Sequence, residues 1–468
     1  MKLSLASLLY IFILVLVLPG CKNTTSQVAI AQIRPIIIRP EPLIIPEDSS
    51  NSAFGGLKRK KSVTRYYQLN GGKSIWIQDG QYTPLADSMI FMLEHVQYYG
   101  FPIGSYHLTE LLDLAPNKSR DGLIRKDILL TDAFIAFAQN LKYGIGYSPG
   151  SEEDSVWVHV LNAALTGSGI KQTLEAQEPV LNGYTSLKNG LRVMLDSSKR
   201  TTVDSASLQQ NIRLISINLE RWRTEKENIS GRYIFINIPS FQLEVVENDS
   251  VILTSKVIVG TPEKQTPVLS SRVECISIYP YWHVPRKIAV EEYLPIIKID
   301  TTFLTRNNFD VLDRRGNILN PDSVEWNAFH EKYFPVSLRQ REGPENSLGI
   351  IKFVFDNPHA VFLHDTNAKK LFKNKTRAFS HGCIRMEKAV ELAHLLVTGV
   401  PGLESKYVRK FLKEKSQHRV DLANPTPIHI RYLTCEFKNK VFFRYDDVYN
   451  RDRELYQLIW HSEKALDL

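Results

Sequence analysis

Cysteine is scarce in this chain: four residues in 468, namely Cys21, Cys275, Cys383 and Cys435, with no Cys-x-x-Cys pair. That argues against a disulfide scaffold and a thiolate zinc cluster, so each thiol is read on its own. Nothing in the spacing of ligand-type residues calls for a metal or a cofactor. A strong charge imbalance is also missing. Lys and Arg number 58 against 50 Asp and Glu, and the net +8 is spread over the whole length. Such an excess fits an anionic polymer as partner without demanding nucleic acid. No internal repeat of roughly 20–50 residues recurs. What is present is an ordinary globular balance, 43 % hydrophobic, 23 % charged and 10 % aromatic. Wholesale disorder is thereby excluded, and at roughly 100–200 residues per domain the length suggests two to four domains.

The chain opens like an export signal. Lys2 precedes the apolar run Leu8–Leu18, which falls short of the about 20 apolar residues a spanning helix needs. Leu18-Pro19-Gly20-Cys21 follows at once. A small residue before a lone cysteine resembles a bacterial lipobox, with cleavage after residue 20 and lipid on Cys21. An ordinary signal peptide and an uncleaved anchor are the other readings, and all three place the body outside the cytoplasm. Residues 21–65 read as a tether, broken by Pro35, Pro40, Pro42 and Pro46. Its basic cluster Lys58–Lys61 reads as solvated, and the folded body is expected to start near Tyr66.

From about residue 75 to 225 the apolar period is helical. Thr83-Pro84 gives an N-cap and a first-turn proline, and Leu129–Leu141 is a second helix ending near Gly144. His95, His107 and His159 fall inside these patterns and read as surface or satisfied core residues. Near Gly231 the period changes to two, with strands expected at Tyr233–Ile238, Phe241–Val246, Val251–Val259, Val273–Tyr279, Ile350–Phe355, Ala360–Leu363, Ile428–Leu433 and Val441–Arg444. The stretch 286–346 interrupts them, and a long insertion of this kind is usually a lid or binding loop.

One constellation carries chemistry. Leu363-His364-Asp365 ends a short apolar strand, and Ser380-His381-Gly382-Cys383 continues through Ile384-Arg385 into the helical run Lys388–Val397. A cysteine beside glycine on a turn can present successive backbone N–H groups to an oxyanion. A following helix N-terminus would favour its thiolate. An upstream histidine could take the thiol proton. Cys275 and Cys435 lie within strand patterns and read as structural.

The spacing His364-x15-Ser380-His381-Gly382-Cys383 with Arg385 resembles the signature of the YkuD-type L,D-transpeptidases. Thr266-Pro267, Tyr281–Pro285, Asn346–Gly349, Arg377–Phe379, Asn218–Trp222 and Tyr432–Thr434 are similar to motifs of the large, scaffold-bearing subgroup typified by YcbB. The resemblance implies an α+β multidomain chain. After a signal peptide (1–20) and the tether come a helical scaffold (66–228) and a mainly β catalytic domain (229–450) with 286–346 as a cap. A tail (451–468) ends the chain.

It further implies action on peptidoglycan stem peptides, and with the lipobox reading of Cys21 the expected location is that of a periplasmic lipoprotein of a Gram-negative bacterium. Cys383 would be the nucleophile and His364 the base and then acid, with the Gly382 and Cys383 N–H groups as oxyanion hole. The Asp365 carbonyl would orient His364, while Ser380, His381 and Arg385 shape the site. Trp282 would line the substrate groove, or else belong to a core. The acyl-enzyme would pass to a side-chain amine of a second stem, to water, or to a protein amine. The intact His364 and Ser380–Arg385 stretch speaks against a dead wall-binding scaffold. Two departures stand out. Tyr184–Asn211 is too short for a peptidoglycan-binding module, and Phe362 replaces an expected tyrosine.

Overall fold

The computed structural model describes residues 42–460 apart from 49, 148–153, 199–204 and 228. The leader-like segment and Cys21 lie outside the described residues. Among those described, no helix is long and apolar enough to cross a membrane.

The first half is helical: α1 (Lys60–Asn70), α2 (Pro84–Glu94), α3 (Leu108–Asp113), α4 (Arg120–Tyr143), α5 (Asp154–Ala163), α6 (Ile170–Glu175), α7 (Asn182–Ser198) and α8 (Ser205–Arg223). A short hairpin, β1 (Ile77–Gln78) and β2 (Gln81–Tyr82), precedes α2. Helix α4 is the axis of this half, buried from Lys126 to Leu141, as a helix surrounded by other elements must be. Its two buried carboxylates are therefore saturated with donors. Asp127 accepts from the Tyr67 hydroxyl (2.6 Å) and the Trp76 N–H (2.9 Å). Asp132 accepts from the N–H groups of Lys58 (2.9 Å) and Arg59 (2.6 Å) and lies 2.6 Å from His107 Nε2.

These bonds correct the expected start of the body. Ile45 and Phe54 are fully buried in the same core, and Lys58-Arg59 is anchored to it through its backbone. The segment has no periodicity because it packs as irregular chain through single anchors, which a period-based reading does not detect.

The second half holds β3 (Arg232–Asn237), β4 (Gln242–Glu247), β5 (Ser250–Gly260), β6 (Leu269–Ile278), β7 (Trp282–His283), β8 (Phe309–Leu312), β9 (Ile318–Leu319), β10 (Ser337–Gln340), β11 (Ile351–Phe355), β12 (Leu363–His364), β13 (Ala378–Ser380), β14 (Ile384–Met386), β15 (His418–Arg431), β16 (Cys435–Lys438) and β17 (Val441–Arg444). Of the later helices, α9 (Arg286–Ile288), α10 (Leu294–Ile299) and α11 (Thr302–Arg306) belong to the insertion. Helices α12 (Ala389–Thr398) and α13 (Lys406–Glu414) pack on the sheet, and α14 (Asp452–Ile459) ends the described chain.

The large sheet runs β13-β5-β14-β12-β11-β6-β15-β3-β4, and β4 pairs again with β5, so the sheet closes on itself. One face is apolar, with Val257, Val259, Ile351, Phe353, Leu363 and Ile384 among its buried residues, and α12 adds Leu392 and Leu395. Strand β15 is far longer than the Ile428–Leu433 expected. Pro425 and Pro427 hide its first part, which the fold accommodates by a register shift between Asp421 and Thr426.

The two halves are clamped by α8. Asn218 exchanges hydrogen bonds with Thr434, each 2.9 Å, and Arg221 pairs with Asp452 at 2.7 Å. The expected tail is thus partly a helix: Tyr456, Ile459 and Trp460 pack on Ile217.

The insertion is a packed body with its own sheet, β7-β10-β8-β9, rather than a loop. Trp326, Phe329, Phe334, Phe309 and Leu294 form its interior.

Replacing Asp132 by alanine would orphan three donors at once, the N–H groups of Lys58 and Arg59 and the His107 ring. We expect a loss of about 3 kcal/mol of unfolding free energy, read as a lower urea midpoint. A loss below about 1 kcal/mol would mean that water replaces the carboxylate.

Candidate active site

Two short parallel strands set the site. Leu363 of β12 pairs with Ile384 of β14, and His364 with Arg385. Because side chains alternate along a strand, Leu363 and Ile384 enter the core while His364 and Arg385 stand on the opposite face. Cys383, one residue before Ile384 and just outside the strand, is half-buried at the edge of the core, within electrostatic reach of Arg385 and Lys352. On the other side of β12, Lys352 of β11 pairs with His364, so Lys352, His364 and Arg385 form one row across three strands.

The turn that carries Cys383 is held by buried polar bonds. Gly382 has φ +109°, a backbone region that excludes ordinary side chains, and is buried. Its carbonyl accepts from the Thr266 hydroxyl at 2.9 Å, and the same oxygen of Thr266 accepts from the Gly260 N–H at 2.9 Å. Tyr449 fixes this corner by donating to the Gly260 carbonyl (2.8 Å) while accepting from the Thr266 N–H (3.2 Å). Since the two ends of a peptide unit point in opposite directions, anchoring the Gly382 carbonyl turns the Cys383 N–H away from Thr266.

No acceptor meets the Cys383 N–H among the described residues. The Gly382 N–H, expected as its companion, is occupied instead by Ser380 Oγ at 3.2 Å. Ser380 also donates to the Cys383 carbonyl at 2.5 Å, so its part is to close the turn.

His364 is buried, and its Nδ1 lies 2.5 Å from the Asp365 carbonyl. Donation from Nδ1 to that carbonyl leaves Nε2 as the proton-accepting nitrogen. Burial and then the Arg385 guanidinium push its pKa down to about 3, against the pull of the Asp365 and Leu348 carbonyls. The ring is therefore neutral at pH 7.

Asp365 also uses its side chain. The carboxylate accepts from the Ile350 N–H at 3.0 Å and pairs with Lys369. A Cβ at Gly349 (φ +61°) would lie 2.3 Å from it, so only glycine fits there. The neighbouring Asn346, buried, donates to the carbonyls of Pro280 (3.2 Å), Gln340 (3.3 Å) and Arg341 (2.7 Å). It thereby clips both roots of the insertion beside His364.

Cys383 is half-buried, and burial raises its pKa above the usual thiol value. A hydrogen bond from the Phe362 backbone, Lys352 and Arg385 act in the other direction. The helix expected to favour a thiolate is not adjacent. Strand β14 intervenes, and α12 starts only at Ala389. The sequence reading joined the turn directly to the helix because three residues are too few to show a strand period. Cys275 and Cys435 are both buried free thiols.

His381 is exposed and lies 2.5 Å from Glu292 Oε1, which also pairs with Lys264 at 3.0 Å. Glu292 and Tyr293 are where the insertion meets the site. The Tyr293 hydroxyl reaches Ser347 and senses Arg385. Trp282 is half-buried, edge-on to Tyr293 at 6.2 Å and tilted on Phe309 at 6.3 Å, as part of the packing of the insertion. The aromatic residues of the insertion are thus largely spent on its interior.

Lys352, Thr266 as a turn anchor, and Glu292 were missed as site residues. For Lys352 a signal existed: it is the one charge in the run Ile350–Phe355. Among the described residues no group of three or more His, Cys, Asp or Glu side chains is placed to hold a metal ion.

Comparison with known proteins gives two family matches. A family described as the L,D-transpeptidase catalytic domain (YkuD) matches residues 231–403, and a family described as a scaffold domain matches 61–191. A protein of Haemophilus influenzae named "Putative L,D-transpeptidase" is 28 % identical over 409 residues, 85 % of this chain and 80 % of its own. Among solved structures, the L,D-transpeptidase from Mycobacterium smegmatis is 12 % identical (43 % of this chain, 59 % of that one, TM-score 0.20). The L,D-transpeptidase (Yku) from Stackebrandtia nassauensis is also 12 % identical (52 % and 78 %, TM-score 0.18). The chain spans from 49 % to 78 % of the length of four solved chains it matches.

Alkylation of Cys383 by iodoacetamide should rise with pH through a single midpoint above the ordinary thiol value of about 8.5. A thiolate paired with an imidazolium would instead give a reactive plateau near pH 5, which mass spectrometry of the Cys383 peptide would reveal.

Proposed function

Because the chain carries the L,D-transpeptidase catalytic domain behind a scaffold domain, we propose that it cross-links peptidoglycan stem peptides through an acyl-enzyme on Cys383. The observation that supports this best is the β12–β14 register, which sets a neutral, carbonyl-oriented His364 beside Arg385, two residues along from Cys383. A neutral imidazole beside a thiol is a general base in its working form.

As substrate docks, Cys383 Sγ attacks the carbonyl between the third and fourth residues of a stem, and its proton passes to His364. The Cys383 N–H, freed by the Thr266 anchor, donates to the developing oxyanion. Collapse breaks the C–N bond, and His364 returns the proton to the leaving amine of the terminal D-amino acid. A side-chain amine of a second stem then attacks the thioester. His364 takes its proton and gives it back to sulfur, leaving a 3→3 cross-link and a free thiol.

The site is cationic, with Arg385 and Lys352 within electrostatic reach of Cys383. That suits stem peptides, which are carboxylate-rich. Glu292 and Tyr293 give the insertion a direct hold on the mouth of the site, which supports a role in shielding the thioester from water.

Cys383→Ala should reduce cross-linking by about a thousandfold or more and leave the thermal midpoint unchanged. Muropeptide profiles of wall digested from cells with each variant provide the check. Persistence of 3→3 dimers would refute the reading, and accumulation of tripeptide without dimers would replace transfer by hydrolysis.

Location is part of the same proposal. Lys2, the apolar run Leu8–Leu18 and Gly20-Cys21 support export to the periplasm and lipidation of Cys21. Cells fed labelled palmitate should mark the protein, and Cys21→Ser should lose both the label and the membrane association. A labelled Ser variant would exclude Cys21 as the attachment point.

A further inference from the structure

Lys352 is half-buried beside the nucleophile, and among the described residues its ammonium has neither an acidic partner nor a hydrogen bond. A buried cation left without a counter-charge is costly, so its position needs a reason. The sheet supplies the geometry. Lys352 is the register neighbour of His364, and its Nζ lies 3.7 Å from the centre of the Phe362 ring. The backbone of that phenylalanine touches the reactive turn twice. Its carbonyl accepts from the Ile384 N–H at 3.0 Å, and it hydrogen-bonds the Cys383 thiol. The ring is also edge-on to His364 at 6.1 Å. Phenylalanine gives the ammonium a ring face and leaves it open to an anion that appears next to it.

We propose that Lys352, held over the Phe362 ring, is the counter-cation of the Cys383 thiolate. It is a positioning residue that supplies positive charge where neutral His364 does not. This rests on Cys383 being the nucleophile, and it adds how that thiol is ionised. The charges that face the pair come from several elements. Arg385 on β14 reinforces Lys352, His364 on β12 is neutral, and buried Cys275 on β6 senses the same ammonium. His283 on β7 and Tyr293 from the insertion approach, while Glu292 is engaged by His381 and Lys264. Beyond Cys275, Arg419 is satisfied by Asp421. Among the described residues no carboxylate comes within reach to neutralise Lys352 before the thiolate forms.

The experiment follows Cys383 alkylation against pH in the full-length protein, by mass spectrometry of its peptide. In Lys352→Met the midpoint should rise by about one unit, a tenfold lower rate at neutral pH, and Lys352→Arg should restore it. Phe362→Leu, which removes the ring platform but keeps the charge, should give a smaller rise. The acid limb of kcat/KM should move with the alkylation midpoint. An unchanged midpoint in folded Lys352→Met overturns the proposal, and a raised KM alongside it would make the ammonium a substrate contact. Alkylation reads the thiol without any turnover. Failure of the transpeptidase reading would therefore appear separately, as cross-linking that survives Cys383→Ala.

Discussion

The site depends on the pairing of β12 with β14, two strands of two and three residues. Their parallel register fixes which side chains enter the core and which face the chemistry. A slip of one residue would exchange Leu363 for His364 and Ile384 for Arg385. So short a pair has little intrinsic stability. It is held by its neighbours, β11 outside β12 and β5 outside β14, and by the apolar face beneath, in which Leu363, Ile384 and Met386 are fully buried. The hydrophobic core is thus the alignment device of the site. Every apolar residue that turns inward sets the orientation of a polar one that turns outward.

Backbone carbonyls do the finer positioning. The Gly382 carbonyl on Thr266, the Asp365 carbonyl on His364 and the carbonyls gathered by Asn346 are each fixed by a buried partner. Buried polar groups must be satisfied, and each such bond has a narrow geometric tolerance. A turn built in this way is stiffer than one held by apolar contact alone. The same logic ties the insertion to the site. Asn346 joins its two roots, and Asp365, one residue along from the base, pins the loop that Asn346 ends. Movement of the insertion would therefore be felt at His364 through hydrogen bonds rather than through loose packing.

Much of this was legible in the sequence, for reasons that differ by element. Helices α2 and α8 and strands β3 to β6 announce themselves by period, because each has one face in a core, whereas α4, buried all round, shows as an almost unbroken apolar run. The Ser380–Cys383 turn was legible by composition, since glycine beside serine and cysteine has few bland uses. What stayed hidden has physical causes. Strand β14 is too short to show alternation, so the turn was joined to α12 and a helix-terminus effect was expected that the fold does not provide. Strand β15 carries prolines that a register shift absorbs. The aromatic residues of 286–346 looked like a lid because apolar side chains in an irregular stretch resemble a binding loop. They are instead the interior of a small body with its own sheet. Sequence also could not tell that Ser380 occupies the Gly382 N–H, because which of two adjacent donors is free depends on side-chain rotation.

The charges around Cys383 then form a consistent set. Burial works against ionisation of both members of the pair: it raises the thiol and lowers the imidazole. The two cations divide that symmetry, since Arg385 and Lys352 favour a thiolate but oppose an imidazolium. A proton leaving sulfur therefore finds a base that holds it weakly, on a ring surrounded by positive charge. Weak retention suits a group that must hand the proton to a leaving amine within the same cycle. An acidic partner on His364 would raise its basicity and slow that second transfer. Orientation by a neutral carbonyl aligns the ring without adding negative charge, so alignment and basicity are set by different parts of the fold.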